Sequence, residues 1–155
     1  MKKTLAMRLL EGKNVPYEAF SYPADERDAT VVAEEIGIPA GQVFKTLVVQ
    51  RQVGKPFLVM VPADRELDLK KMAKGVGEKK VSMASHAEAE ELTGLEVGGI
   101  SALALINRGF DIVLDTSAQE YETICISAGE KGINIEVPVE GLAKVTGADY
   151  LDVAG

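Results

Sequence analysis

The segment 43–49, Val-Phe-Lys-Thr-Leu-Val-Val, places a lysine inside what otherwise has the composition of a buried β-strand. With a side-chain period of two, Lys45 shares one strand face with three apolar residues. An ammonium group in such surroundings is unfavourable unless it reaches solvent, pairs with an acid or lines a cavity. The residues alone leave two interpretations open. Lys45 pairs with a buried carboxylate such as Asp111 or Asp115, or it binds a ligand in a cavity.

The composition limits which other residues could do chemistry. Cys125 is the only cysteine and His86 the only histidine of the 155 residues. One residue of each type cannot form a protein-built zinc site of the usual kind, and no metal or cofactor is predicted. A catalytic triad would have His86 as its one candidate base, but the place of His86 in the first turn of a predicted helix indicates a surface residue. Cys125 lies among apolar neighbours on a predicted strand and is expected to be a core residue.

Charge and hydropathy indicate the compartment and exclude some partners. A single cysteine allows no intramolecular disulfide, which fits a reducing cytoplasm, and no apolar run reaches the length of a membrane-spanning helix. The formal net charge of −7 argues against general coating of nucleic acid, although it leaves room for a local basic face. We therefore expect a cytoplasmic protein with no membrane contact and no DNA partner.

The elements that must position Lys45 alternate between helical and extended patterns along the chain. Helices are predicted over residues 4–11, 29–36, 67–81, 85–93 and 138–147. Strands are predicted over residues 16–22, 43–49, 56–62, 111–115, 122–127 and 133–137. Strands that come in pairs with helices between them predict an α+β fold, with a mixed, largely antiparallel sheet flanked by helices. One domain over residues 1–155 accommodates all of them.

Residues 67–81 carry the strongest local positive charge in this acidic chain. Its five lysines are Lys70, Lys71, Lys74, Lys79 and Lys80. They would solvate the outside of an amphipathic helix, which is the common reason for such a run. They could also contact the phosphate backbone of a nucleic acid, and they are candidate tRNA contacts on that interpretation.

A pair of glycines, Gly98 and Gly99, precedes Ile100, Ser101 and an apolar segment. Adjacent glycines allow a tight, open backbone whose N–H groups can face a ligand carbonyl, but an ordinary turn requires the same residues. The spacing of nucleotide-binding glycine loops does not occur in the chain.

Five motifs, in order along essentially the whole chain, resemble the bacterial Cys-tRNA(Pro) deacylases, the YbaK family. This family belongs to the superfamily of editing domains related to the insertion domain of prolyl-tRNA synthetase. The motifs are Val43-Phe44-Lys45-Thr46-Leu47, Leu67-Asp68-Leu69-Lys70-Lys71-Met72-Ala73, Gly98-Gly99-Ile100-Ser101, Ala118-Gln119-Glu120 and Ser127-Ala128-Gly129.

The resemblance implies a freestanding trans-editing deacylase that removes a mischarged amino acid, most often cysteine, from tRNA(Pro). In the family mechanism the cysteinyl thiol attacks its own ester, so the enzyme is formally a hydrolase or a lyase according to whether a thiolactone forms. The resemblance also implies that tRNA specificity comes through a complex with prolyl-tRNA synthetase. Its implied catalytic residues are Lys45, Gly98 and Ser127, and its implied substrate-binding residues are Tyr22, Thr46, Gly99, Ile100, Ser101 and Asn134.

Within this resemblance, Lys45 is expected to hold the 3′-terminal phosphate or ribose of the tRNA. Backbone N–H groups of Gly98 and Gly99 are expected to face the carbonyl, and Ser127 to orient the amino acid. The chain departs from the family in two places. Ala102 stands where the family usually has proline, and Asn134 stands where it often has aspartate.

Three other functions remain open from the sequence. The substrate could be Ala-tRNA(Pro), as in related alanine-specific editing proteins. The chain could instead be a non-catalytic module that binds tRNA or a synthetase, or a metabolite-binding protein. The size of the pocket and the release of an amino acid discriminate among them.

Overall fold

The computed structural model describes residues 2–155 and contains helices on both sides of β-structure. The helices are α1 (Leu5–Gly12), α2 (Ala29–Ile36), α3 (Leu69–Val76), α4 (His86–Thr93) and α5 (Val139–Thr146). The strands are β1 (Glu18–Ser21), β2 (Phe44–Arg51), β3 (Phe57–Pro62), β4 (Val81–Met83), β5 (Asp111–Asp115), β6 (Thr123–Ser127), β7 (Ile133–Pro138) and β8 (Asp149–Leu151). Short 3-10 turns cover Ala40–Gln42 and Thr116–Glu120.

The strands of residues 2–155 form two sheets rather than the one sheet expected from the sequence. The larger has the order β4-β2-β3-β5-β8, with β2 antiparallel to β3 and β4, and with β5 parallel to β3 and β8. The smaller has the antiparallel order β1-β7-β6. Between them the described chain has one parallel bridge, from Val43 to Cys125. The α+β class with a largely antiparallel arrangement is confirmed, and the single sheet is corrected to two.

The two faces of the five-stranded sheet pack against different elements. Phe44 and Val48 of β2 belong to the larger core cluster, together with α1, α5 and the three-stranded sheet. Val49 belongs to a second cluster on the other face, where Met72 and Ala73 of α3 cover the strands. The alternation of faces along β2 follows from the side-chain period of two.

Capping residues explain where several predicted helices begin and end. The Asp28 side chain accepts from the Thr30 N–H at 2.9 Å and begins α2. Ser85 and Glu88 form the expected capping box, with distances of 3.1 and 2.9 Å. The predicted helix over 67–81 is shorter in the structure because Gly77, at φ +75°, ends α3 in the left-handed conformation.

Asp115 anchors the C-terminal segment to the end of β5. Its carboxylate accepts hydrogen bonds from the Val153 and Ala154 N–H groups, both at 2.9 Å. It also accepts from the N–H and hydroxyl of Ser117. Only 1% of Asp115 is exposed, so these bonds satisfy a charge that water does not reach.

In the described residues, no helix is both long enough and apolar enough to cross a membrane.

Candidate active site

The two sheets diverge beyond the Val43–Cys125 bridge and leave a wedge between them, which we define by residues 44–48 of β2 and Ser127 of β6. A cavity of about 270 Å³ occupies this wedge. Ala29 and Val32 of α2 close one side, and residues before α4 close another. Seven of the residues predicted from the sequence line it, namely Tyr22, Lys45, Thr46, Gly98, Ile100, Ser127 and Asn134.

Lys45 lies half-buried at the wall of the cavity. Its Nζ donates to the Ala63 carbonyl at 3.4 Å, and no acidic side chain in residues 2–155 forms an ion pair with it. The carboxylates proposed as its partners are engaged elsewhere, since Asp111 pairs with Arg51 at 2.6 Å and Asp115 binds backbone N–H groups. The ion-pair interpretation is therefore wrong, and the cavity interpretation fits the structure.

Tyr22 connects the segment after β1 to the glycine pair. Its hydroxyl donates to the Gly98 carbonyl at 3.3 Å. Burial raises the pKa of the Tyr22 hydroxyl, an effect that a hydrogen bond from the Gly132 backbone opposes in part. The phenol therefore stays protonated at neutral pH and remains a donor. It holds Gly98, at φ +94°, against the cavity.

Gly99 and Ser101 lie outside the cavity lining, and their contact with substrate stays a prediction. The Gly99 N–H donates to the Glu96 carbonyl at 2.8 Å and so does not face the cavity as a free donor. The Ser101 side chain is buried and accepts from the Ala104 N–H at 3.2 Å. Both residues shape the loop that presents Gly98 and Ile100.

Gly99 makes a close approach to the loop after β6. A Cβ atom at this position would lie 3.0 Å from the Lys131 nitrogen and 3.1 Å from the Glu130 carbonyl carbon, so backbone would have to move. We expect Gly99→Ala to lower the free energy of unfolding by about 1–3 kcal/mol because of this overpacking. Urea unfolding measures the change. Gly12→Ala is the control, because a Cβ there meets no atom within 4 Å. Equal stability of the two variants would contradict the packing we describe.

Ser127 and Asn134 face each other across the β6–β7 pair. The Ser127 Oγ accepts from the Gly129 N–H at 3.1 Å, which leaves its hydroxyl hydrogen for a ligand. Asn134 is 5% exposed and lines the cavity, and its side-chain amide makes no hydrogen bond within the part of the chain that the structure describes. No buried side-chain nitrogen or oxygen of the described residues lacks a partner, so the polar atoms of the Asn134 amide are accessible from the cavity and can bind a ligand there.

The cavity mouth includes residues that the sequence did not indicate. Met83 and His86 lie on one side, and Glu26 and Arg27 on the other. Met83 ends β4, whose three residues are too few to give a periodic pattern. His86 is exposed, as expected, but also lines the cavity. We find no signal in the sequence that would have placed these four residues at the mouth.

A family model for the aminoacyl-tRNA editing domain matches residues 24–145. The chain is also 38% identical, over 98% of its own length and 93% of the relative's, to an Enterococcus faecalis protein, EbsC, named as a candidate Cys-tRNA(Pro)/Cys-tRNA(Cys) deacylase. The chain belongs to the aminoacyl-tRNA editing domain family. The family expected from the sequence motifs is thus confirmed.

Other similar proteins include proline–tRNA ligases and solved structures with the same fold. The chain is 26% identical to a proline–tRNA ligase of Thermodesulfovibrio yellowstonii, over 78% of its own length and 20% of the ligase. A crystal structure of a candidate trans-editing enzyme for prolyl-tRNA synthetase matches with a TM-score of 0.83 at 25% identity, covering 100% of this chain and 99% of that one. A crystal structure of a hypothetical protein shares the fold, with a TM-score of 0.88 at 24% identity over 97% and 99% of the two chains.

The lysines of segment 67–81 do not extend the site of the editing domain. None of the five lines the cavity, and α3 covers the sheet face opposite to the main core. Lys71 reaches Asp152 at 3.4 Å and the Ala154 carbonyl at 3.2 Å. Lys79 and Lys80 precede β4 where Val81 pairs with Arg51, six residues along β2 from Lys45, which corresponds to about 20 Å. The contact of these five lysines with tRNA stays a prediction.

The single cysteine of the chain is not an activated nucleophile. Burial raises the pKa of the Cys125 thiol to about 12, with further contributions from Glu136 and Glu18, so the thiol is not ionised at neutral pH. Cys125 also lies in the core behind Val43 and not in the cavity lining. Among residues 2–155, no three His, Cys, Asp or Glu side chains are grouped so that they could hold a metal ion.

Proposed function

We propose that the protein is a trans-editing deacylase that removes cysteine from mischarged tRNA(Pro). The observation that carries the proposal is the wedge cavity, in which an unpaired Lys45 meets Ser127, Asn134 and the Gly98 loop. The name of the Enterococcus faecalis relative supports cysteine as the amino acid. The matches to proline–tRNA ligases support tRNA(Pro) as the carrier.

The volume of the cavity supports a small amino acid. About 270 Å³ lies just below the range of about 300–1,000 Å³ that is usual for small-molecule pockets. Such a cavity admits an aminoacyl group and excludes the body of a tRNA, so the ribose and phosphate must remain at the mouth. Lys45 then supplies a positive charge for the terminal phosphate or a hydrogen-bond donor for the ribose.

The residues of the cavity suit an ester that is already activated. Cleavage of an aminoacyl ester depends on positioning and on stabilising the oxyanion more than on a strong base. The cysteinyl thiol would attack its own ester carbonyl, the C–O bond to the ribose would break, and the ribose oxygen would take the thiol proton. The products would be a free tRNA 3′ end and a thiolactone, which water then opens to cysteine.

A panel of charged tRNAs tests this function. We expect single-turnover deacylation of Cys-tRNA(Pro) to exceed that of Pro-tRNA(Pro) by at least about a hundredfold, because the cysteinyl thiol supplies the nucleophile and proline has none. Release of the amino acid is followed with radiolabelled esters, and the product is trapped as thiolactone before it hydrolyses. Cys-tRNA(Cys) reports whether the tRNA body matters. Faster release from Ala-tRNA(Pro) would move the substrate to alanine, and binding without release would leave a non-catalytic module.

Prolyl-tRNA synthetase would supply most of the contact with the tRNA body. The net charge of −7 and the position of the 67–81 lysines outside the cavity lining leave few phosphate contacts around Lys45. We expect the synthetase to lower the KM for Cys-tRNA(Pro) by at least about tenfold, as an added binding surface does. Without it, the salt dependence of binding should correspond to one or two phosphates, a slope of about −1 to −2 against log salt concentration. A much steeper salt dependence of tRNA binding by the isolated protein would contradict the assignment of most tRNA contacts to the synthetase.

A further inference from the structure

Strand β2 has a free edge inside the cavity. Its inner edge pairs with β3 along the strand from Phe44 to Val49. Its outer edge pairs with β4 only from Val49 to Arg51, and the Val43–Cys125 bridge occupies the other end. Between these two points, no other segment of residues 2–155 forms a ladder with the outer edge, and residues 43–48 line the cavity.

Hydrogen bonds at both ends show which way the backbone of each residue points. The Val43 carbonyl accepts from the Ala63 N–H at 2.7 Å and therefore points to the β3 side. The Val48 carbonyl accepts from the Ala84 N–H at 3.0 Å and points to the outer side. Because these directions alternate along a strand, the N–H and the carbonyl of Thr46 both point outward. They lie at the middle of the free edge.

An unpaired strand edge is a ready template for another extended segment. Here α2 and the chain before α4 enclose it, so the cavity excludes another strand and admits a group of one residue. An aminoacyl group carries the same N–Cα–C=O sequence of atoms as a residue in a peptide. It can therefore form the two hydrogen bonds that one residue of an antiparallel pair forms with its partner.

We propose that the amino acid of the substrate binds as one added residue on the free edge of β2, opposite Thr46. The α-ammonium group donates to the Thr46 carbonyl, and the ester carbonyl accepts from the Thr46 N–H. This inference rests on the proposed function and assigns the atoms that hold its substrate. The backbone of Thr46 is thus a positioning element, and its N–H takes the place of the Gly99 N–H, which Glu96 engages.

The arrangement gives a reason for the adjacency of the Lys45 ammonium and the free backbone groups of Thr46. Lys45 and Thr46 are consecutive, so the rigid strand that holds the aminoacyl group also carries the ammonium for the ribose or phosphate beside it. The Thr46 N–H would also strengthen its bond as negative charge develops on the carbonyl oxygen, which is how an oxyanion donor acts. Ser127 and Asn134 remain for the amino-acid side chain on the other wall.

A substrate analogue tests the ammonium contact with the wild-type protein. tRNA(Pro) carrying 3-mercaptopropionate keeps the thiol and the ester but lacks the α-ammonium group. Each rate is divided by the spontaneous rate of the same ester without protein. We expect the acceleration to fall at least about tenfold relative to Cys-tRNA(Pro), the effect of one charge-assisted hydrogen bond. An undiminished acceleration would overturn the inference.

A backbone substitution tests the N–H contact. Thr46→Pro replaces an outward-facing N–H with a ring carbon at a position where strands tolerate proline, so every N–H of the β2–β3 ladder is kept. Thr46→Ala keeps this N–H and measures the side chain alone. We expect the proline variant to be slower than the alanine variant by at least about tenfold in kcat, with both melting as two-state proteins. Equal rates would overturn the assignment of the N–H.

The outcomes separate this inference from the proposed function. No release of cysteine by the wild-type protein would refute the proposed function itself. Release of cysteine together with full acceleration of the 3-mercaptopropionyl ester would leave the deacylase intact and refute the strand-edge site alone. Because the analogue experiment uses the unmodified protein, unfolding of the proline variant would not remove the test.

Discussion

Replacing Lys45 with alanine is expected to lower the deacylation rate of Cys-tRNA(Pro) at least about a hundredfold, since misplacement of a reacting group by about 1 Å has that effect. The ammonium is held by the Ala63 carbonyl at 3.4 Å and by no acid within the described chain, so it is available to the charged end of the tRNA. The measurement is single-turnover release of cysteine at saturating protein.

Stability and a matched lysine serve as controls for this variant. Because Lys45 forms no ion pair in residues 2–155, its removal should leave the free energy of unfolding within about 1 kcal/mol of the parent value. Lys13→Ala, at an exposed position after α1, should keep the parental rate. A folded Lys45→Ala protein with the parental rate would refute the role we assign to this side chain.

Replacing Asp115 with asparagine is expected to have the largest effect on stability, a loss of about 3 kcal/mol at pH 7. The carboxylate accepts four hydrogen bonds and is 1% exposed, and the amide of asparagine cannot accept on both sides. Urea unfolding gives the difference. Asp111→Asn is the control, because its pair with Arg51 is on the surface and should contribute less than about 1 kcal/mol. Equal losses for the two variants would contradict the anchoring role of Asp115.

The stability that Asp115 contributes should depend on pH. Burial favours the neutral acid, but the hydrogen bonds from Ser117, Val153 and Ala154 outweigh it and hold the pKa of Asp115 below its ordinary value of 3.8. A carboxyl whose pKa is lower in the folded state stabilises the protein above the unfolded pKa, and this contribution is lost as pH falls through the folded pKa. The difference between the parent and Asp115→Asn should therefore be constant from pH 5 to 7 and shrink below about pH 4.

The sequence predicted those elements whose signals are local. The helices predicted over residues 29–36 and 85–93 lie where the structure has them, because Asp28, Ser85 and Gly37 each act on hydrogen bonds within their own helix. The alternation of faces along β2 was also local, and it identified Lys45 as a residue in need of an explanation.

Non-local features could not be predicted from the sequence. The strands β4 and β8 have three residues each, too few for a period, and form through pairing with β2 and β5. The engagement of Gly99 and Ser101 depends on contacts made within the folded loop, so a motif alone assigned them to the substrate. The division of the strands into two sheets depends on the Val43–Cys125 bridge, which joins residues 82 positions apart.

The Val43–Cys125 bridge allows residues outside the cavity to affect its width. Within the described residues it is the only ladder contact between the sheets, while hydrogen bonds from the Gln42 side chain to Thr123 and packing in the shared core also fix the angle between them. Three small side chains pack with Val43 at the bridge and so influence that angle, namely Ala33, Ala63 and Cys125. Replacing one of them with a larger or smaller residue would change the angle between the sheets and therefore the width of the cavity. Discrimination between two amino acids that differ by one atom can therefore evolve at residues that never touch either of them.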